Sequence, residues 1–227
     1  MQKPILIISI LALLLLSACS LSNPADFEGV IEMKLSGKGA PDNVTKYSIS
    51  KLGIRIDSEI NDPRVSSKTF HGAELFQFKN TNSYYSLSED TKTYQERTPS
   101  INREQAAMAM QNLKFNVKNL AKETVQGYSC VHVLLTSESS QGGKMELWST
   151  KDLVDVERLK KAWTNGASGY NPGMEKAMKD ADADGFPMKF IWYDGNGEKM
   201  IISEVLKVEK RALPAALFEV PADYTKK

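Results

Sequence analysis

The chain has 227 residues, 41% of them hydrophobic, with 29 basic and 28 acidic side chains and only two cysteines. Removing Lys3 with the apolar N-terminal segment described next brings the basic count to 28, so the remaining chain has a net charge near zero. This balance excludes the basic face that nucleic acid or an anionic lipid surface requires for binding by charge alone.

An apolar run from Ile5 to Leu16 follows Lys3, the only charge in this segment. The run is too short for the roughly 20 residues that span a bilayer, and it is typical of a signal peptide. It ends in Leu16-Ser17-Ala18-Cys19, which reads as a lipobox. We predict a signal peptide at 1–18 and a lipidated tether at 19–26, with Cys19 carrying the acyl chains. The alternatives are an uncleaved anchor and a non-lipidated signal peptide in which Cys19 is incidental.

The two or three acyl chains of a bacterial lipoprotein bind a membrane almost irreversibly. We therefore expect a bacterial envelope protein that contacts the membrane through these chains. In enteric bacteria, Asp directly after the lipidated cysteine favours the inner membrane, and this chain has Ser20 there. Resemblance to that rule favours an outer-membrane anchor with the domain in the periplasm.

From Phe27 onward a period of two predicts antiparallel strands, with Ile31 and Met33 on one face and Glu32 and Lys34 on the other. Strand signals continue to Glu96 and return from Phe115 to Thr150 and from Pro187 to Glu209. The last pair of strands turns at 194–197, a sequence that favours a hairpin.

Three short helices are predicted among about ten strands. One follows Asn102, a second is capped by Thr150, and a third starts at Pro172 with Met174, Ala177, Met178 and Ala181 on one side. We expect one domain over 27–227, mainly β (α+β), whose curved antiparallel sheet forms a half-barrel closed by the helices.

Cys130 and His132 lie two residues apart on a predicted strand and therefore on one face. A thiol and imidazole could act as a nucleophile and base, but no third orienting group or oxyanion site is recognisable. A core thiol beside a partly buried histidine is the preferred interpretation, and we expect no enzyme, cofactor or metal. Asp180, Asp182 and Asp184 match only the first half of a calcium loop, because Ile191 stands where a bidentate Glu is required.

Five methionines in or beside the predicted helices are candidates for lining a cavity: Met108, Met110, Met174, Met178 and Met188. Flexible thioethers suit a surface that accepts varied apolar shapes, although ordinary core filling is the simpler interpretation.

Six short segments together resemble an uncharacterised family of secreted bacterial domains: 27–29, 55–57, 124–130, 148–150, 185–187 and 217–224. That family is similar in layout to the lipoprotein-localisation (Lol) carriers and receptors, which are half-barrels with helices over an acyl-binding cavity. The resemblance implies the same layout here. The Lol receptor, itself a lipoprotein, is the closer parallel to a chain with a lipobox.

Two functions follow as hypotheses. In the first, a non-enzymatic outer-membrane lipoprotein binds a hydrophobic ligand, an acyl chain or lipoprotein anchor, between sheet and helices. In the second, the domain has a filled core without ligand and is a structural or protein-interaction module of the envelope. Its protein partners are not identifiable from the sequence.

Overall fold

A computed structural model of the chain describes residues 23–38, 40–60, 69–80, 82–98, 114–138, 143–160 and 172–227. The described residues build one open sheet of 13 strands. The strands are β1 (Gly29–Gly37), β2 (Ala40–Ile49), β3 (Gly53–Ile60), β4 (Phe70–Gln77), β5 (Tyr84–Ser88), β6 (Thr93–Arg97), β7 (Phe115–Asn119), β8 (Glu123–Val125), β9 (Tyr128–Ser137), β10 (Lys144–Thr150), β11 (Phe186–Tyr193), β12 (Lys199–Lys210) and β13 (Thr225–Lys226).

The strand order is β13-β6-β5-β4-β3-β2-β1-β12-β11-β10-β9-β7, and β8 pairs with β9 off this path. The first strand therefore lies inside the sheet, and the chain extends from it to both sides. Every pair is antiparallel except β13 with β6. The predicted mainly β fold with one antiparallel sheet is confirmed, with more strands than expected.

The predicted turn between β11 and β12 shows why adjacent strands pair in this way. Asp194 Oδ1 accepts hydrogen bonds from the backbone N–H groups of Asn196 and Glu198, both at 2.9 Å. Gly197 has a φ of +84°, which residues with a side chain rarely adopt, so glycine suits this position. The turn closes the hairpin as its sequence predicts.

Two helices are described, and the predicted helix after Asn102 lies outside the described residues. The helix α1 begins at 156, and α2 spans Pro172–Asp180. The prediction that Thr150 caps α1 is wrong. Asp155 is the cap, since its Oδ1 accepts hydrogen bonds from Glu157 N at 3.0 Å and Arg158 N at 3.4 Å.

Both helices lie on the same face of the sheet, here called the helix-bearing face. Met174 and Met178 of α2 belong to a groove cluster built on four buried residues: Val133, Leu135, Leu147 and Ala183. Leu159 of α1 belongs to the main cluster with Ile31, Ile54 and Phe76. Cross-strand partners point to the same face of a sheet. Phe190 of the groove cluster pairs with Ser203, which pairs with Leu35, and Leu35 pairs with Asn43, so the two clusters share one face.

The C-terminal segment covers the opposite face. Leu75 and Phe76 are consecutive in β4 and point to opposite faces; Phe76 belongs to the main cluster. Leu75 belongs to a tail cluster, whose buried members also include Phe218 and Tyr224. The 3-10 turn Ala215–Phe218 packs there, and β13 then pairs with β6. The segment therefore buries apolar positions on the face that carries no helix.

Candidate functional site

A groove of about 620 Å³ lies between α2 and the edge strand β7. Its volume falls within the range of roughly 300–1,000 Å³ that is usual for small-molecule sites. The groove is open on one side rather than enclosed. Its walls are Lys114, Phe115, Val117, Asn119, Glu138, Gly173, Lys176, Ala177, Asp180 and Ala181.

Strand and helix periodicity together place the apolar wall of this groove. Phe115 and Val117 are two apart in β7 and so face the same side. Ala177 and Ala181 are four apart at the end of α2, one above the other on one helix side. Small residues on the helix leave the space open. The mouth of the groove is charged, with Lys114 and Lys176 near Glu138 and Asp180, and neither sign dominates.

An apolar row extends from the groove across the helix-bearing face. Its members pair side by side over five strands: Val117, Leu135, Met145, Trp192 and Ile201. Leu135 is only 2% exposed, whereas Trp192 and Ile201 are 38% and 37% exposed. Burial thus decreases along the row towards β12, and its outer members present large apolar side chains to solvent.

The predicted methionines occupy different positions around this site. Met174 and Met178 are half-buried and pack in the groove cluster. Met188 is fully buried in the main cluster. Met108 and Met110, like Cys19, lie outside the described residues. Among the described methionines, none belongs to the groove wall itself.

Cys130 and His132 share a face but have separate partners. The Cys130 thiol donates to the Tyr128 carbonyl at 3.5 Å, and burial raises the pKa of this thiol. His132 Nδ1 lies 2.9 Å from Glu123 Oε1. The thiol is therefore kept protonated, and the imidazole is held by a carboxylate. In the described residues, no group of three His, Cys, Asp or Glu side chains is arranged to hold a metal ion.

The acidic segment 180–185 binds a side-chain cation. Lys151 Nζ lies 2.6 Å from Asp182 Oδ1 and 2.7 Å from Asp184 Oδ1. The ammonium group thus occupies the position between these two carboxylates that a calcium ion would need. Asp180 ends α2, and Lys151 pairs with the two carboxylates that follow it.

Sequence reasoning missed Phe115, Ala177, Trp192 and Ile201 as site residues. For Trp192 and Ile201 a signal was present, because the predicted turn at 194–197 brings these two large apolar residues opposite each other. For the groove no local signal exists, because α2 and β7 are more than 50 residues apart in the chain.

A family described as a domain of unknown function (DUF4412) matches residues 27–224. No curated protein matches the chain. In the described residues, no helix is both long and apolar enough to cross a membrane.

Several solved structures are similar in part. An uncharacterised conserved protein from Thermus thermophilus has 10% identity and a TM-score of 0.49, over 89% of this chain and 91% of that one. The MucA/MucB complex from Pseudomonas aeruginosa has 8% identity and a TM-score of 0.46, over 89% of this chain and 59% of that one. A domain assigned to outer membrane lipoprotein sorting from Vibrio parahaemolyticus has 11% identity and a TM-score of 0.28, over 84% of this chain and 88% of that one.

Proposed function

The chain belongs to the DUF4412 family of domains of unknown function, and from its own residues we propose that it is a non-enzymatic envelope lipoprotein that binds an apolar ligand. Cys19 anchors the protein in the outer membrane. The periplasmic domain takes up an acyl chain or lipoprotein anchor on the helix-bearing face. The observation that carries this proposal is the groove between α2 and β7 with the apolar row that continues from it.

The row supports a ligand because large apolar side chains lie at the surface at its outer end. Large apolar residues that lie side by side on a surface are typical of binding sites rather than of ordinary protein surface. Trp192 and Ile201 are such a pair, and their row leads into the groove at Val117. Leu135 stands between the groove and this pair and is 2% exposed, so a ligand that covers both places requires α2 to move away from Leu135.

The energetics favour a long hydrocarbon chain over a small polar molecule. Burial of about fifteen methylenes gives on the order of 12 kcal/mol before the cost of ordering the ligand is subtracted. Charges of both signs at the mouth, from Lys176 and Asp180 for example, suit a zwitterionic or neutral head group. Strong affinity therefore requires no dedicated charged anchor.

The proposed lipid anchor is inferred from the lipobox that ends at Cys19. The apolar run before it is the only segment of the sequence with the length and composition of a signal peptide. An envelope location also explains the single thiol of the folded domain, since Cys130 is fully buried and protected from oxidation.

The second candidate, an interaction module with a filled core, is favoured by a different observation. The main cluster packs tightly where α1 meets the sheet, and Ile31, Ile54, Leu159 and Met188 are 0% exposed. No ligand can enter there without displacing side chains. The two candidates therefore differ in whether the groove end of the sheet is occupied by lipid.

The test is lipid retention by the chain from Ser20 onward without acylation. Native mass spectrometry should detect a co-purified lipid, and a fluorescent fatty acid should bind in competition with it. We expect Ala177→Trp to fill the groove and weaken binding about tenfold or more, since it removes space for several methylenes. Lys179→Trp, an exposed position on the same helix, is the matched control and should bind normally.

Absence of retained lipid together with no binding of the probe would support the interaction module instead. Equal binding by the Ala177→Trp and Lys179→Trp variants would place any ligand outside the groove.

A further inference from the structure

The groove runs along α2 and β7 in one direction. Ser149 Oγ donates a hydrogen bond at 2.8 Å to the carbonyl of Ala183, shortly after the end of α2. Ser149 pairs with Val131 of β9, and Asn119 at the end of β7 pairs with Val133 of the same strand. The C-terminal end of α2 therefore lies beside the end of β7, and its N-terminal end lies towards the start of β7.

The helix wall of the groove is fixed at this C-terminal end. Asp182 has a φ of +59°, and its N–H donates to the Lys179 carbonyl at 3.1 Å. The N–H of Ala183 donates to the Met178 carbonyl at 2.8 Å. These two hydrogen bonds form the Schellman motif that closes a helix. Ala183 is also 1% exposed, so the end of α2 is held against the sheet.

The apolar part of the groove is short. Its helix wall consists of Gly173, Ala177 and Ala181, which share one side of α2 because they follow at intervals of four residues. The helix advances about 12 Å from the first to the last of them. The strand wall, over 114–119, advances about 17 Å. A staggered hydrocarbon chain advances about 1.3 Å per methylene, so about nine to thirteen methylenes match these walls.

Polar groups stand at both ends of this apolar part. Lys114 and Glu138 lie at the start of β7, where Glu138 N donates to the Lys114 carbonyl at 3.0 Å. Asn119 and Asp180 lie at the opposite end. Leu135, beneath α2, is 2% exposed and closes the inner side. Methylenes beyond the apolar part therefore contact polar groups or water and gain little from burial.

We propose that this groove limits the length of its ligand and takes a saturated hydrocarbon chain of about nine to thirteen methylenes. Gly173 and Ala181 determine this length, because each leaves space at one end of the helix wall. Longer chains still bind through the part that fits, but their additional methylenes add no affinity. This inference rests on the proposed function, since it concerns the same groove, and it specifies which acyl chains bind there.

A series of fatty acids tests the limit on the chain from Ser20 onward, which contains every described residue. Saturated fatty acids of different length, from about 8 to 18 carbons, displace a bound fluorescent fatty acid, each below the concentration at which it forms micelles. We expect affinity to rise about two- to fourfold with each methylene. The rise should stop between about 11 and 15 carbons, where the chain fills the groove.

Two variants place a larger side chain at either end of the helix wall. Gly173→Leu and Ala181→Leu should each move the end of the rise to chains about three carbons shorter, because leucine occupies the place of several methylenes. Lys179→Leu, at an exposed position on the same helix, is the matched control and should leave the end of the rise unchanged. Urea unfolding establishes that each variant is folded.

Affinity that keeps rising up to the longest chain would overturn the inference and leave the groove as a lipid site without a length limit. An unchanged end of the rise in folded Gly173→Leu and Ala181→Leu proteins would also overturn it, because α2 would then not set the length. If neither variant folds, the series on the original protein decides alone. Displacement by no fatty acid of any length would refute the proposed function together with the length limit.

Discussion

His132 lies flat against the indole of Trp148, with 3.9 Å between ring centroids and 16° between ring planes. The two rings share one carboxylate. Glu123 presents Oε1 to His132 Nδ1 at 2.9 Å, and its Oε2 accepts a hydrogen bond from Trp148 Nε1 at 3.0 Å. The Glu123 side chain thereby links β8 to His132 of β9 and Trp148 of β10.

Replacement of Glu123 by Ala should destabilise the domain. The Trp148 N–H would lose its acceptor in a mostly buried position, and an unsatisfied donor of this kind costs about 1–2 kcal/mol. Glu123→Gln retains one oxygen that can accept this hydrogen bond and should lose less. Urea unfolding followed by tryptophan fluorescence measures both free energies, and equal stability of the two variants would contradict the shared role of the carboxylate.

Loss of Lys151 should change the response of the domain to acid. Burial alone would raise the pKa of Asp184, but Lys151 outweighs this effect and holds the pKa below its usual range. A lowered pKa in the folded state stabilises the protein above the pKa of the unfolded state, and this contribution is lost as the pH falls through the folded value.

Lys151→Met should therefore be less stable than the original protein at pH 7, by less than about 1 kcal/mol because Lys151 is half-exposed. The difference should begin to shrink as the pH falls below about 4, the usual aspartate range, and should vanish only when the pH falls below the lowered pKa of Asp184 in the original protein. Urea midpoints measured between these pH values check this, and Lys179→Met is the control. A difference that stays constant with pH would exclude Asp184 as its source.

Truncation of Phe218 should loosen the C-terminal segment. Phe218 is 2% exposed in the tail cluster, and its carbonyl accepts a hydrogen bond from Gln77 Nε2 at 2.9 Å. Phe218→Ala leaves a cavity and should cost about 3 kcal/mol. Hydrogen exchange should increase in β6, whose outer edge β13 covers. The neighbouring exposed position supplies the control, Glu219→Ala, for which exchange should remain unchanged.

Substitution of Cys19 by Ala should abolish lipidation. Without the thiol no acyl chain can be attached, so the precursor should keep its signal peptide and incorporate no labelled palmitate. Cys130→Ser, which removes the other cysteine, should be processed and labelled normally. Palmitate that remains on the Cys19→Ala protein would refute lipidation at this position.

Local patterns were sufficient for much of the fold. Alternation correctly assigned Ile31 and Met33 to a buried face, and the turn around Asp194 fixed the hairpin of β11 and β12. The stripe on α2 was also correct, because Met174 and Met178 pack against the sheet. These features depend on residues a few positions apart, where spacing alone determines which side chains share a face.

Long-range features were not predictable. Thr150 and Asp155 are both residue types that cap helices well. Leu153 and Val154, between them, are 1% and 3% exposed because this segment bends into the main cluster, and the helix therefore begins only after Asp155. The strand β13 is two residues long and pairs in parallel with a strand far away in the chain. The groove likewise depends on which strand α2 packs against. The spacing of Met174 and Met178 predicts the apolar side of α2 but not the strand that this side contacts.

The pairing of Thr225 and Lys226 with β6 makes the two ends of the sheet unequal. Backbone groups of β6 are already partly engaged there, whereas β7 has a partner on only one side within the described sheet. If two molecules join strand to strand, the contact forms through β7 of each and closes on itself as a twofold dimer. Open-ended polymers would need both ends, and at the β6 end Thr225 and Lys226 already occupy the positions beside Thr93 and Tyr94.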